Sequence, residues 1–520
     1  MRSWATPETS APLSADDRRN DRSGYIAIFV MALGLLPLAL LGGAKLGFGF
    51  VAGILAILLI AFLVIRWPVV GFYATIACVV LIEDGPLPLP DGTDSLPIFH
   101  WPVGSVLEGS IERPIGFFFI FIFFVIITSR LIRRQKLLRG GQLLIPFVLY
   151  LLCVAGGVVH GLTSGGNLKD VVLEVRPWWY LFASYLLAYN LITKKAHIRT
   201  AFWIMIICAG IKSLQGIYIY LVVLHGNIQG IDAILSHEES FFFIALILLL
   251  LLFCFHHSYR PQLYLALLIF PTVLIALVAN QRRADYIALV VGLAFSWVII
   301  FRLKPRARKA LVVVVLLVGV LGAGYIFTFS HSNGLIAEPA RAVMSIVNPS
   351  TADARDLNSN WYRGVENFDL EYTAKQNPLL GMGFGKPFLQ PVLLPNLSSS
   401  DPIYLIVPHN NIFWILMRLG PLGYLAFWYL IGAVIVRGSL IARQLKDQYL
   451  QLVAIFIIGV TTMEIVVAFA DYQLYFYRNV IYLGLLLGVL MKLPALDKQK
   501  EALANAVPDE DRVSPGTVRR

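Results

Sequence analysis

The chain has 520 residues, 58% of them hydrophobic and 14% charged, with a formal net charge of +11. A soluble domain averages about half apolar and about a quarter charged, so this composition excludes an ordinary soluble enzyme. The basic excess is no nucleic-acid footprint either, because it collects in alternate connections between apolar runs of about twenty residues.

Taken in order, residues 1–24 are polar, with Pro7, Pro12, Arg18, Arg19 and Arg22, and read as a disordered tail. The polar lead is long and apolar runs keep following, which argues against a cleaved signal peptide. Tyr25–Ala44 is the first expected span, with Lys45 in a tight connection after it. Further spans are expected at 46–65, 67–83, 115–129, 143–159, 177–193, 198–224, 237–255, 263–280, 285–301, 310–329, 410–436, 449–470 and 479–493. The fold class is therefore an all-α polytopic membrane protein of about fourteen spans. Its segments are a first block of spans over 25–329, a long connection over 330–408, a second block over 409–493, and a polar tail over 494–520.

Alternate threading through a bilayer tests that reading. With the N-terminus inside, one side receives Arg130, Arg133, Arg134, Lys136 and Arg139, then Lys194, Lys195 and Arg199. It also receives Arg302, Lys304, Arg306, Arg308 and Lys309, and lastly Arg437, Arg443 and Lys446. The bias toward cytoplasmic basic loops puts both termini in the cytoplasm. The outer side carries Glu83–Pro114, with Asp84, Asp91 and Asp94, and the longer Ser330–Pro408. Connections beyond about fifteen residues are uncommon unless functional or disordered. The aromatics Trp361, Tyr362, Phe368, Tyr372, Phe384 and Phe388 argue against disorder in the second, where short amphipathic helices on the outer membrane surface are expected. No internal repeat is visible. Cys78, Cys153, Cys208 and Cys254 all fall in apolar runs without metal-ligand spacing, and read as buried apolar residues.

The polar residues of the outer side carry the chemistry. Asn280-Gln281-Arg282-Arg283-Ala284-Asp285 is a tight turn between spans. Arginines on this side run against the charge bias. They either snorkel to headgroups or pair with Asp285, or they clamp a phosphate through the planar guanidinium fork. Arg363 precedes Asn377-Pro378-Leu379-Leu380-Gly381-Met382-Gly383-Phe384-Gly385, whose glycines permit close backbone approach to a ligand or form a plain turn. His409 stands at the outer mouth of a span, where a neutral imidazole can take a proton near neutral pH. Asn410 or Asn411 suits the N-cap, and the helix start offers N–H groups and positive charge to a phosphate. His100, His160, His225, His256 and His257 read as structural. The outer loops hold no Asp-x-Asp pair; Glu83-Asp84 comes nearest and reads as a solvated loop start.

This set, an outer arginine turn, Arg363, the Gly381–Gly385 run, and His409-Asn410 followed by Gly420 and Gly423, resembles the O-antigen ligase and polysaccharide polymerase superfamily. The likeness covers roughly residues 275–470. Members carry a Ser-Arg-Gly-like turn where this chain has Gln281 and two arginines, so the pattern leaves open which of Arg282 and Arg283 corresponds. The resemblance implies a metal-independent, cofactor-free glycosyltransferase at the outer face of a bacterial inner membrane. The donor would be a glycan on polyprenyl pyrophosphate, and the acceptor a glycan, a lipid-core sugar or another hydroxyl. His409, Arg363, Arg282 and Arg283 would be catalytic, the arginines holding pyrophosphate together with Asn410, Gly383 and Gly385. Inversion at the anomeric centre is implied by resemblance alone. A chain-length regulator encoded nearby would mark a polymerase, and a core-sugar cluster a ligase. The competing reading is a non-catalytic flippase or exporter of lipid-linked sugars. Such transporters show repeated halves, whereas here the distinctive residues sit in one off-centre loop.

Overall fold

In the computed structural model, the described residues are 48–83, 113–228, 231, 233–256, 259–332, 334–348, 354–397 and 403–505. The expected tail 1–24, the expected span Tyr25–Ala44, Lys45, Asp84, Asp91, Asp94, His100, His257 and the tail residues 506–520 lie outside them. The described residues form α-helices, short 3-10 and π turns, and no strand, which bears out the all-α membrane class. The chain divides into one unit ending at Ala74 and a second beginning at Thr75. The first contains α1 (Phe48–Arg66) and the opening of α2 (Val69–Leu81), parted at Trp67-Pro68.

The second unit continues with α3 (Pro114–Ile132), α4 (Leu144–Thr163), α5 (Leu168–Leu191), α6 (Lys195–Tyr218), α7 (His237–His256), α8 (Arg260–Ala279), α9 (Arg283–Leu303) and α10 (Arg308–Phe329). The long connection folds into α11 (Glu338–Val347) and α12 (Ala354–Gln376), after which come α13 (Asn411–Gln444), α14 (Gln448–Val467) and α15 (Tyr477–Asn505). Among the described residues, ten helices are long and apolar enough to cross a membrane.

Three helices depart from the expected bounds for identifiable reasons. α5 starts well before residue 177, because the Asn167 side chain accepts the Lys169 N–H at 2.8 Å and caps it. Glu174 and Arg176 in its first half are buried in protein rather than ending the helix. α15 runs on through Pro494, where a polar tail was expected, and Asp497 accepts the N–H groups of Lys446 (2.9 Å) and Asp447 (3.1 Å). That stitches the extension to the α13–α14 connection.

α13 is broken at Gly420 (φ 64, ψ −173). From Pro421 to Gln444, at about 1.5 Å per residue, it is long enough by itself to cross a core roughly 30 Å thick. The stretch before the break is a separate short helix carrying the site. Two other expectations need correction. Only Cys208 is buried; Cys78 and Cys153 are half-buried, and Cys254, near the end of α7, is exposed. Glu83 is no solvated loop start: it is 1% exposed, ion-paired with Lys212 and accepting the Ser236 N–H at 3.0 Å. A buried carboxylate needs such partners.

Hydrogen bonds gather the connections of the second unit at two ends. At one, Arg130 reaches Asn190 (2.6 Å), Arg437 reaches Gln142 (2.7 Å) and Lys195 pairs with Asp447 (2.5 Å). At the other, Asn280 holds the α6–α7 connection, His237 meets Asp471, and Asn167 meets Gly385. The polar site lies at the second end.

Candidate active site

The site is built on the break in α13. In an unbroken helix the Met417 carbonyl would accept from the residue four along, which is Pro421 and has no N–H. Met382 N–H takes that carbonyl instead at 2.8 Å, and Gly383 N–H takes the next one, of Arg418, at 3.1 Å. The Asn377–Gly385 run thus closes the helix break. A Cβ at Gly420 would lie 2.4 Å from the Leu379 carbonyl oxygen, and one at Gly383 (φ 73) would lie 2.4 Å from the Gly161 nitrogen on α4. Only glycine fits either place.

Beneath the run lies a fully buried ion pair. Arg418 Nε approaches Glu174 Oε1 of α5 at 2.5 Å, and both side chains are 0% exposed. Arg418 also donates to the carbonyls of Gly383 (3.1 Å) and Ile406 (2.9 Å), while Glu174 accepts from Gly385 N–H and from Trp414 Nε1 (3.2 Å). Buried charges persist only when paired and hydrogen-bonded to this degree. The pair pins α5, the glycine run and the short helix together.

On that platform His409 meets α12. Its backbone N–H donates to Glu366 Oε2 at 3.0 Å, and its Nδ1 lies 3.1 Å from Glu366 Oε1. Glu366 is 1% exposed and the His409 side chain 22%. A carboxylate accepts only, so Nδ1 carries the proton and Nε2 keeps a lone pair, a tautomer assigned from the bonding. The imidazole sits edge-on to Tyr472 and Tyr362, at ring-centroid distances of 5.0 and 5.5 Å. Asn410 is the N-cap, accepting the Phe413 N–H at 3.0 Å and donating to Asn367 of α12, also at 3.0 Å.

The two arginines of the α8–α9 turn go different ways. Asn280, fully buried, accepts the N–H groups of Ile234 (3.1 Å) and Leu235 (2.9 Å) and donates to Ser240 (2.8 Å), which fixes the turn. Arg283 turns to the long connection: it donates to Ser345 of α11 (3.1 Å) and Asn360 of α12 (3.2 Å) and pairs with Asp356 (3.1 Å). Arg282 acts electrostatically on Asp285 and on Asp471 of the α14–α15 connection. Asp471, 4% exposed, also faces His237 Nδ1 at 3.1 Å. Burial alone would raise its carboxyl, but the hydrogen-bonded His237 in its protonated form, with the charges of Arg282 and of protonated His409, outweighs burial and holds it well below the ordinary carboxylate range.

Of the residues expected at the site, His409, Asn410 and Arg282 are therefore gathered at one mouth. Arg363 stands on α12 one turn before Glu366, on the His409 side of the helix, with no hydrogen bond or ion pair among the described residues. Arg283 is a tether for α11 and α12. Gly383 and Gly385 correct the expectation of a phosphate cradle: their N–H groups are spent on Arg418 and Glu174, so neither can donate to a ligand. Glu366, Asp471, His237, Glu174 and Arg418 were not singled out from the sequence. Only the charge of Arg418 inside an apolar stretch could have signalled one of them.

A multi-pass helical membrane protein with a polar, arginine- and histidine-lined site at one mouth is the class these features define. Residues 265–428 match the family model described as O-antigen ligase, so the chain carries an O-antigen ligase-like domain, and its function is of the ligase or polymerase kind in general terms. No curated protein matches the chain. The matched segment includes Arg282, Arg283, Arg363 and His409; His237 and Asp471 fall outside it.

Proposed function

We propose that the chain is a glycosyltransferase that moves a glycan from a polyprenyl-pyrophosphate donor to a hydroxyl acceptor. It would work at the outer, periplasmic face of a bacterial inner membrane, with both termini in the cytoplasm. The observation that carries the reading is the His409–Glu366 pair, which leaves Nε2 as the basic nitrogen of an imidazole on the rim of the site. In the transfer, the acceptor oxygen forms the new bond to the anomeric carbon and its proton passes to His409 Nε2. The old bond to the phosphate oxygen breaks, and the electron pair leaves with the pyrophosphate. The departing charge meets guanidinium groups, Arg282 from the α8–α9 turn and Arg363 from α12, which stabilise it without a metal ion. Glu366 keeps the imidazole in the required tautomer and favours the imidazolium as it forms, as the carboxylate does in a histidine–aspartate pair.

The test uses purified protein with a defined lipid-linked donor and acceptor, with product measured directly. Formation of the glycosidic bond, lost in His409→Ala, is the expected result. Absence of any glycosidic product, together with movement of lipid-linked sugar across liposomes, would replace this reading with transport.

A further inference from the structure

His409 is one of two histidines arranged alike around Tyr472. His237, the first residue of α7, places Nδ1 3.1 Å from Asp471 Oδ2, and its side chain is 28% exposed while that of Asp471 is 6% exposed. As at His409, the carboxylate can only accept, so Nδ1 is the donor; in the imidazolium form Nε2 is an N–H as well and can donate to an anion. Tyr472 is in ring contact with both, 5.0 Å from His409 and 6.3 Å from His237 by centroids, and Phe476 packs 6.0 Å from His237 and 4.9 Å from Tyr472. Asp471 joins the halves, because Arg282 and His409 both act on it electrostatically. A single proton is removed in the proposed transfer, and His409 with Glu366 accounts for it. That leaves the second histidine–carboxylate pair, on whose Asp471 Arg282 also acts, without a task in the proton transfer.

We propose that His237 binds the donor's pyrophosphate beside Arg282, and that Asp471 is the positioning residue holding both against it. The α14–α15 connection and the start of α7 thus complete a site whose other half comes from the long connection. The assignment rests on the glycosyltransferase reading for its donor. It differs from that reading in placing part of the pyrophosphate site on residues beyond the matched domain.

The experiment separates binding from turnover. Farnesyl pyrophosphate, a short prenyl pyrophosphate, is titrated into the purified full-length protein in detergent without acceptor. The wild type is expected to bind it, and His237→Gln to bind about tenfold or more weakly, the size of one lost hydrogen bond to a charged group. Lys375→Gln, at an exposed residue of α12, should bind it as the wild type does. Asp471→Asn should weaken binding like His237→Gln, and Asp471→Glu should restore part of the affinity, which loss of packing alone would not allow. In the transfer assay, His237→Gln should raise the donor KM and leave the acceptor KM unchanged. Equal binding by wild type and His237→Gln overturns this assignment alone. So does an equal loss in Lys375→Gln, since the effect would then not belong to the site. No binding by the wild type overturns the pyrophosphate-donor reading itself, and this assignment with it. Should Asp471→Asn fail to fold, His237→Gln still decides.

Discussion

His409 and Glu366 meet twice, through the backbone N–H of the histidine at 3.0 Å and through its Nδ1 at 3.1 Å, one to each carboxylate oxygen. The double contact fixes both the place of the imidazole and the nitrogen that carries its proton. Glu366→Gln keeps the shape, but its amide can present N–H to Nδ1 and favour the wrong tautomer. Transfer should fall by about 10²- to 10⁴-fold with the thermal midpoint close to that of the wild type. A variant with near-normal rate would remove Glu366 from the mechanism.

Arg282 and Arg283 are neighbours with different work. Arg283→Ala removes contacts to Ser345, Asn360 and Asp356 and should cost about 1–3 kcal/mol. It should be read as a lower thermal midpoint and faster proteolysis within 338–376. Arg282→Lys keeps the charge and loses the planar fork, so transfer should drop while the midpoint holds. The reverse pattern would exchange the two assignments.

Much of this was legible in the sequence. Hydropathy gave the class and most spans, and the order of His409, Arg363 and the Arg282-Arg283 turn gave three sides of the site. Other parts were not legible, because they depend on contacts between distant segments. Glu366 reads as one more polar residue of a loop helix until His409 is seen against it. Asp471 and His237 lie 234 positions apart in sequence. Asn167, an inconspicuous polar residue, starts α5 early. The glycine run misled for a physical reason: positive φ and close approach were correctly inferred, but what approaches is the backbone of α4 and α13.

That reassignment can be tested at Gly383. An added Cβ meets the Gly161 nitrogen at 2.4 Å with the residue at φ 73, a backbone-against-backbone clash that no side-chain rotation relieves. Gly383→Ala should cost about 1–3 kcal/mol or more. The yield of folded protein should fall while the donor KM of the surviving fraction stays the same. A raised donor KM at an unchanged thermal midpoint would return the run to the donor site.

Sidedness is tested with reporters. Fusions at Ser399 and after Arg520 should give opposite signals, external for the first and cytoplasmic for the second, because the basic connections fall on the side opposite the long one. Matching signals would separate the termini from the side proposed for them.

Metal independence is tested by chelation. If Arg282 and Arg363 stabilise the leaving pyrophosphate, purified protein should turn over donor in excess chelator at an unchanged rate. Loss of activity restored by magnesium or manganese would refute the arginine-based mechanism.

The last prediction concerns acid. His237, Arg282 and His409 outweigh the burial of Asp471 and hold its carboxyl well below its ordinary value, which is about 3.9 in a model peptide. A carboxyl depressed in the folded protein contributes stability that is fully present above the unfolded value and lost as pH falls through the folded value. The Asp471 carboxylate is therefore ionised near neutrality, and Asp471→Asn should melt below the wild type there. The gap in midpoint should persist down to about pH 4 and narrow only below it. Melting curves of both proteins in one detergent, from neutral pH into acid, measure that gap directly. A gap absent at neutral pH, or one that widens steadily below pH 4, would mean that Asp471 is not the charged centre holding His237 and Arg282.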